Sequence, residues 1–177
     1  MKENIIRKLI LLISVSALTF GVVDHVDTSD LPKSEVKAYL DRNITDSLTI
    51  VVHHTAAPGT QKLKDIASYH VDTRGWPGIA YHLAIKPNGE IHFLNALEKR
   101  TYHNSADNTN TIGIVFLGNF ETEQPTSEAM QAFTMLTEVI CEELKIKGIK
   151  GHRDYKGTLC PGKNLYNSLN QLGILFP

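Results

Sequence analysis

Cysteine is scarce in this chain, two among 177 residues, and tryptophan is scarcer still, with one. Two cysteines allow at most one disulfide, so the fold must rest on a packed core and not on a crosslinked framework. An excess of charge is missing as well, since 18 Lys and Arg face 19 Asp and Glu. That balance offers no polybasic surface and excludes nucleic acid as an expected partner. Runs of like charge, internal repeats and low-complexity tracts are absent, which removes the usual marks of a disordered tail. What remains is a chain long enough for one domain with a real core. It carries eight histidines, several of them beside turns or strand ends, where ligands and acid–base groups tend to sit.

The first residues differ from all that follows. Lys2, Arg7 and Lys8 precede the apolar run that begins at Leu9. A positive region followed by roughly 15 apolar residues is the pattern of a Sec-type export segment. Residues 1–23 are therefore read as an export signal or a membrane anchor, short for a full span of about 20 residues. The expected location is periplasmic or extracellular, with membrane association through this segment if it is retained. Residues 24–46 are polar and contain Pro32, and they read as a linker or a packing arm with a short helix over Ser34 to Leu40. In an exported chain a cysteine pair defaults to a disulfide. Here Cys141 falls in a helical stretch and Cys160 in a turn-rich loop beside Pro161-Gly162, which favours Cys160 as a metal thiolate.

Residues 47–177 alternate strand and helix patterns. Leu48 to His53 is short, apolar and rich in β-branched residues, which suits a buried strand. Lys62 to Tyr69 has helical spacing and ends before the breakers Gly75-Trp76-Pro77-Gly78. Tyr81 to Ile85 and Glu90 to Leu94, joined through Lys86-Pro87-Asn88-Gly89, read as a β-hairpin in which Asn-Gly supplies the positive φ values of a tight turn. Thr111 to Leu117 is a second buried strand. Ser127 to Lys145 is the clearest helix, with an apolar stripe of Phe133, Leu136, Ile140 and Leu144 and Thr126 as N-cap. Asn164 to Leu172 is a final short helix. The expected fold class is α/β, a single domain with a central mixed β-sheet flanked by helices.

The chemistry lies in donors far apart in sequence: His53-His54 at the end of an apolar run, His152 in Gly151-His152-Arg153-Asp154, and Cys160. Imidazole and thiolate are zinc ligands, and a catalytic zinc takes about three protein ligands, keeping one position open. The chain reads as a zinc hydrolase. Successive strand side chains point to opposite faces, so one of His53 and His54 is a ligand and the other packs behind it. Spacing alone does not say which.

Four blocks then bring a family into view. They are Val51-Val52-His53-His54-Thr55-Ala56; Tyr81 through Gly89; His103 followed by Asn110-Thr111-Ile112-Gly113-Ile114; and Gly151-His152-Arg153-Asp154 through Thr158-Leu159-Cys160-Pro161-Gly162. In this order they resemble the type 2 N-acetylmuramoyl-L-alanine amidases, which include phage lysozyme-type amidases and animal peptidoglycan recognition proteins. The likeness covers roughly Ile50 to Leu165. It implies one Zn2+ per chain on His53, His152 and Cys160, a metal charge sufficient to acidify water towards a pKa of ~7. It further implies a catalytic Tyr81, with Thr158 as a second oxyanion donor where phage members carry lysine. Substrate contacts are expected at His103, Asn104 and His54, and peptidoglycan or its muropeptides are the implied partner of a chain read as a monomer. The implied reaction is hydrolysis of the amide between N-acetylmuramic acid and L-alanine. The alternative is a recognition module that binds peptidoglycan without cutting it. Arg153 and Asp154 are expected to pair with each other or to orient the loop bearing His152, and Trp76 to line a groove or the core.

Overall fold

The computed structural model describes residues 28–44 and 47–175. Among these, five strands form one sheet: β1 (Leu48–His54), β2 (Leu83–Ile85), β3 (Ile91–Phe93), β4 (Thr111–Phe116) and β5 (Ile146–Gly151). Their spatial order is β3-β2-β4-β1-β5. β1 runs parallel to both β4 and β5, β2 runs parallel to β4, and β3 alone is antiparallel, to β2. Every residue of β1 and of β4 is buried, which explains their near-continuous apolar sequences: central parallel strands are covered on both faces.

One face carries Ile50, Val52, Leu83, Ile112, Ile114 and Phe116, packed against α2 (Ser127–Glu143) and α3 (Lys163–Gln171) through Phe133, Leu136, Ile140, Leu165 and Leu169. Burying each such side chain contributes about 1.5–3 kcal/mol, so this layer is the main source of stability. The opposite face carries Ala84 and Val115 beneath the short α1 (Leu63–Ser68), which contributes Leu63, Ile66 and Ala67. α1 continues into a π-helical turn, Tyr69–Thr73, that stops at the Gly75–Pro77 breakers. Thr126 caps α2 as expected, its hydroxyl oxygen accepting from the Ala129 N–H at 3.2 Å. The fold is the α/β single domain with a mixed sheet that the patterns predict.

Three local expectations need correction. The α2 helix ends at Glu143, not Lys145, and the chain turns extended at Leu144 to enter β5. That strand is invisible in sequence because Ile-Lys-Gly-Ile-Lys-Gly mixes lysines and glycines, and it pairs on one side only, with β1. Ser34 to Leu40 forms no helix; the stretch lies along the domain, with the buried Tyr39 hydroxyl donating to the Gly78 carbonyl at 2.7 Å. In the hairpin turn only Gly89 takes a positive φ, at 82°, and Asn88 does not. A side chain at Gly89 would also approach the Glu128 carbonyl to 3.0 Å. The export or anchor segment, residues 1–23, lies outside the described residues. No helix among the described residues is long and apolar enough to cross a membrane.

Candidate metal centre

Parallel pairing of β1 with β5 ends at Val52↔Gly151, while its pairing with β4 continues to His54↔Phe116. The last residues of β1 therefore have an open edge on the β5 side. The chain leaves β5 at Gly151 into a single helical turn, His152–Asp154, which sets His152 beside that edge. The loop after it returns to the same edge, tied by the Arg153 N–H donating to the Cys160 carbonyl at 2.8 Å. As a result the donor atoms of His53, His152 and Cys160 lie within 4.8 Å of one another, the one such trio among the described residues.

The geometry suits a zinc ion. Cys160 Sγ lies 3.7 Å from His53 Nδ1. Two tetrahedral ligands at about 2.3 Å and 2.0 Å from zinc stand about 3.5 Å apart. His152 Nε2 is buried and has no hydrogen-bond partner, a deficit that typically costs about 1–3 kcal/mol and that a ligand bond would remove. Burial lowers the pKa of both imidazoles, with like-charged neighbours adding to the effect, so each is held neutral with a lone pair to give. Burial pushes the Cys160 thiol up to about 11, opposed by the His54 backbone N–H and the Arg153 charge. Such a thiol keeps its proton until a cation displaces it, which links metal uptake to proton release.

His53 and His54 do face opposite ways. His53 lies with its ring near His152, Tyr81 and His103. His54 is buried beneath Phe120, its Nδ1 accepting from the Phe120 N–H at 3.2 Å. Tyr81 stands over His53 with ring centroids 5.4 Å apart; burial and the adjacent Cys160 raise its pKa, so the phenol stays a proton donor. Thr158 is half-buried and its hydroxyl oxygen accepts from the Cys160 N–H at 3.2 Å.

His103 and Asn104 are buried, and both have partners inside the protein. His103 Nδ1 is 3.0 Å from His53 Nε2. Asn104 organises its own loop, its side-chain oxygen accepting from Ala106 and its N–H donating to Asn108. His54 and His103 thus hydrogen-bond within the fold, whereas the buried side-chain nitrogen of Asn104 has no hydrogen-bond partner among the described residues. His82 is a hydrogen-bonded core histidine: Gly113 N–H donates to its Nδ1 at 2.9 Å, and its Nε2–H donates to the Lys99 carbonyl at 2.8 Å. Arg42 Nη2, 3.2 Å from that protonated nitrogen, is thus a neighbour and not a hydrogen-bond donor to it.

Arg153 pairs with Glu121 at 3.5 Å, not with Asp154, and its guanidinium lies 4.8 Å over the Tyr166 ring while donating to the Leu159 carbonyl. Asp154 accepts instead from the Gly151 N–H and the Tyr166 hydroxyl. Both residues therefore brace the loop that carries His152 and Cys160. The Trp76 ring lies tilted against His70, centroids 4.9 Å apart, beneath the Arg74 guanidinium. Cys141 and Cys160 are free thiols, so no disulfide joins them. Sequence reasoning missed Arg42, Glu121 and Tyr166, for which it carries no signal. It also passed over Gly113, whose place inside a β-branched strand does signal a close approach.

Comparison with known proteins agrees with this arrangement. A sequence model of N-acetylmuramoyl-L-alanine amidases matches residues 45–163, spanning all four blocks. The chain belongs to this family. Peptidoglycan-recognition protein SC2 of Drosophila simulans is 33% identical over 129 residues, covering 67% of this chain and 70% of that protein. Peptidoglycan recognition protein 1 of Mus musculus is 31% identical over 133 residues, 66% and 70% of the two chains. Among solved structures, the endolysin N-acetylmuramoyl-L-alanine amidase LysCS of Clostridium intestinale superposes with a TM-score of 0.68 at 28% identity, covering 82% of this chain and 99% of that one.

Proposed function

We propose that this chain is a zinc-dependent N-acetylmuramoyl-L-alanine amidase that cleaves the amide between N-acetylmuramic acid and the L-alanine of the stem peptide in peptidoglycan. The observation that carries the reading is the convergence of His53, His152 and Cys160 within 4.8 Å in a chain of this family. One zinc per chain is held by those three residues; when bound it supplies a Lewis acid that polarises the scissile carbonyl and acidifies water. The chain's own groups do the rest. Both imidazoles are kept neutral and ligand-ready. The Tyr81 phenol, held protonated, donates to the oxygen that gains charge as the carbonyl is attacked, where a fixed donor is worth about 3–4 kcal/mol. Thr158 accepts from Cys160 with a lone pair, which leaves its O–H as a second, uncharged donor.

Peptidoglycan as partner is supported by the relatives named for recognising it, and export through residues 1–23 would deliver the chain to the cell wall. The decisive experiment uses the purified full chain on isolated sacculi, with zinc measured by elemental analysis. One zinc per chain and release of L-alanine amino termini, both lost in Cys160→Ser, support the amidase. Tight muropeptide binding without new amino termini would make the protein a recognition module instead.

A further inference from the structure

His53 can offer Nδ1 to a cation only if its proton sits on Nε2, and the surrounding hydrogen bonds dictate that choice from a distance. Arg42, 8% exposed, reaches in from the arm and donates to three backbone carbonyls: Leu97 at 2.8 Å, Thr109 at 3.0 Å, and Thr111. The Thr111 carbonyl also faces His103 Nε2 at 3.3 Å. The Thr111 hydroxyl gives its single hydrogen to the Asp107 carbonyl, so towards His103 Nε2, at 3.2 Å, it can only accept. Two acceptors at Nε2 place the His103 proton there and leave Nδ1 with a lone pair. That lone pair receives the Nε2–H of His53 at 3.0 Å, and the free Nδ1 of His53 then faces Cys160 Sγ at 3.7 Å. Gly113 makes the arrangement fit, since a Cβ there would come within 2.5 Å of the His103 ring.

We propose that Arg42 is a positioning residue of the metal centre: by holding the Thr111 carbonyl it orients His103, and through His103 it presents the Nδ1 lone pair of His53 to the cation. The inference rests on the zinc reading above. It makes the arm, which supplies none of the ligands, a determinant of metal affinity. Outer partners of ligating histidines typically account for about 10- to 100-fold in metal affinity.

The test is a double-mutant cycle on the full chain, read as zinc affinity by competition with a chromophoric chelator and as the visible spectrum of the Co2+-loaded protein. Arg42→Met and His103→Phe should each weaken zinc binding about 10- to 100-fold and alter the Co2+ bands, while the double variant should be no worse than His103→Phe alone. Arg42→Lys should recover part of the loss, since an ammonium can serve the Thr111 carbonyl but not all three acceptors. Wild-type affinity in Arg42→Met, or fully additive losses, would overturn the inference. If Arg42→Met fails to fold, Arg42→Lys decides: a folded protein with weakened zinc and a changed Co2+ spectrum supports the inference, and one with wild-type values overturns it. Absence of zinc binding by the unaltered chain would overturn the metal reading itself, and this inference with it.

Discussion

The N–H of Arg153 and the carbonyl of Cys160 are joined by a 2.8 Å hydrogen bond, so the residue after His152 grips the backbone of Cys160. The guanidinium of the same arginine reaches the Leu159 carbonyl and lies over Tyr166. This brace holds His152 and Cys160 at the open edge of β1. Arg153→Ala should cost about 1 kcal/mol of stability, discounted because the side chain is partly exposed. Zinc affinity should fall more sharply, because the loop loses its clamp. Arg153→Lys should rescue poorly, since an ammonium cannot stack on the ring as a planar guanidinium does. Chelator competition beside thermal melting separates the two effects.

Adjacent histidines on opposite faces make a direct contrast. His53→Ala should abolish stoichiometric zinc while the fold persists. His54→Ala should keep zinc and lose about 1–3 kcal/mol, because the Phe120 N–H is left without its acceptor. Elemental analysis and melting of both variants check this, and the reverse order would assign the ligand to the wrong face.

Tyr81→Phe removes one hydroxyl from a ring whose packing is otherwise unchanged. Zinc content and melting temperature should stay at wild-type values while kcat/KM on muropeptides drops about 100- to 1000-fold. Undiminished turnover would reduce Tyr81 to a packing residue.

Gly113→Ala introduces a methyl group into the space of the His103 ring. Overpacking of this kind costs about 1–3 kcal/mol, and the ring must retreat from His53. The expected result is lower stability together with weaker zinc binding, whereas Ile114→Ala, on the opposite face of the same strand, should lower stability without touching zinc. Melting and chelator competition on the two variants provide the comparison.

Acid should destabilise the domain through its buried neutral histidines. His70 accepts from the Ala80 N–H at 3.2 Å, and burial, reinforced by Arg74, pushes its pKa down to about 4. The unfolded chain takes up this proton near pH 6.5. Between about 6.5 and 4 the unfolded state therefore binds more protons, so stability is full above that window and falls as pH drops through it. The penalty for this group is on the order of 3 kcal/mol once the window is crossed. His70→Asn keeps an acceptor near Nδ1 and should flatten the acid limb in denaturant titrations at pH values across the window.

Much of this protein is legible from residue types alone. The apolar runs of β1 and β4, the stripe of α2 and the Thr126 cap are local signals, and local signals need no distant partner to be read. The identity of the donors was legible too, because imidazole and thiolate suit zinc wherever they stand. β5 escaped because its pattern is broken by lysine and glycine, and its place beside β1 is decided by pairing. Arg42, one arginine in a polar arm, has no mark that distinguishes it from a solvated surface charge. Nor did anything in the chain reveal that His103 would spend both ring nitrogens inside the protein. Residue chemistry by itself determined which side chains could bind a cation and which segments must be buried. Whether His53, His152 and Cys160 meet, and which nitrogen of His53 is left free, only the tertiary structure decided, since hydrogen-bond direction and sheet register are relations between residues as many as 107 positions apart.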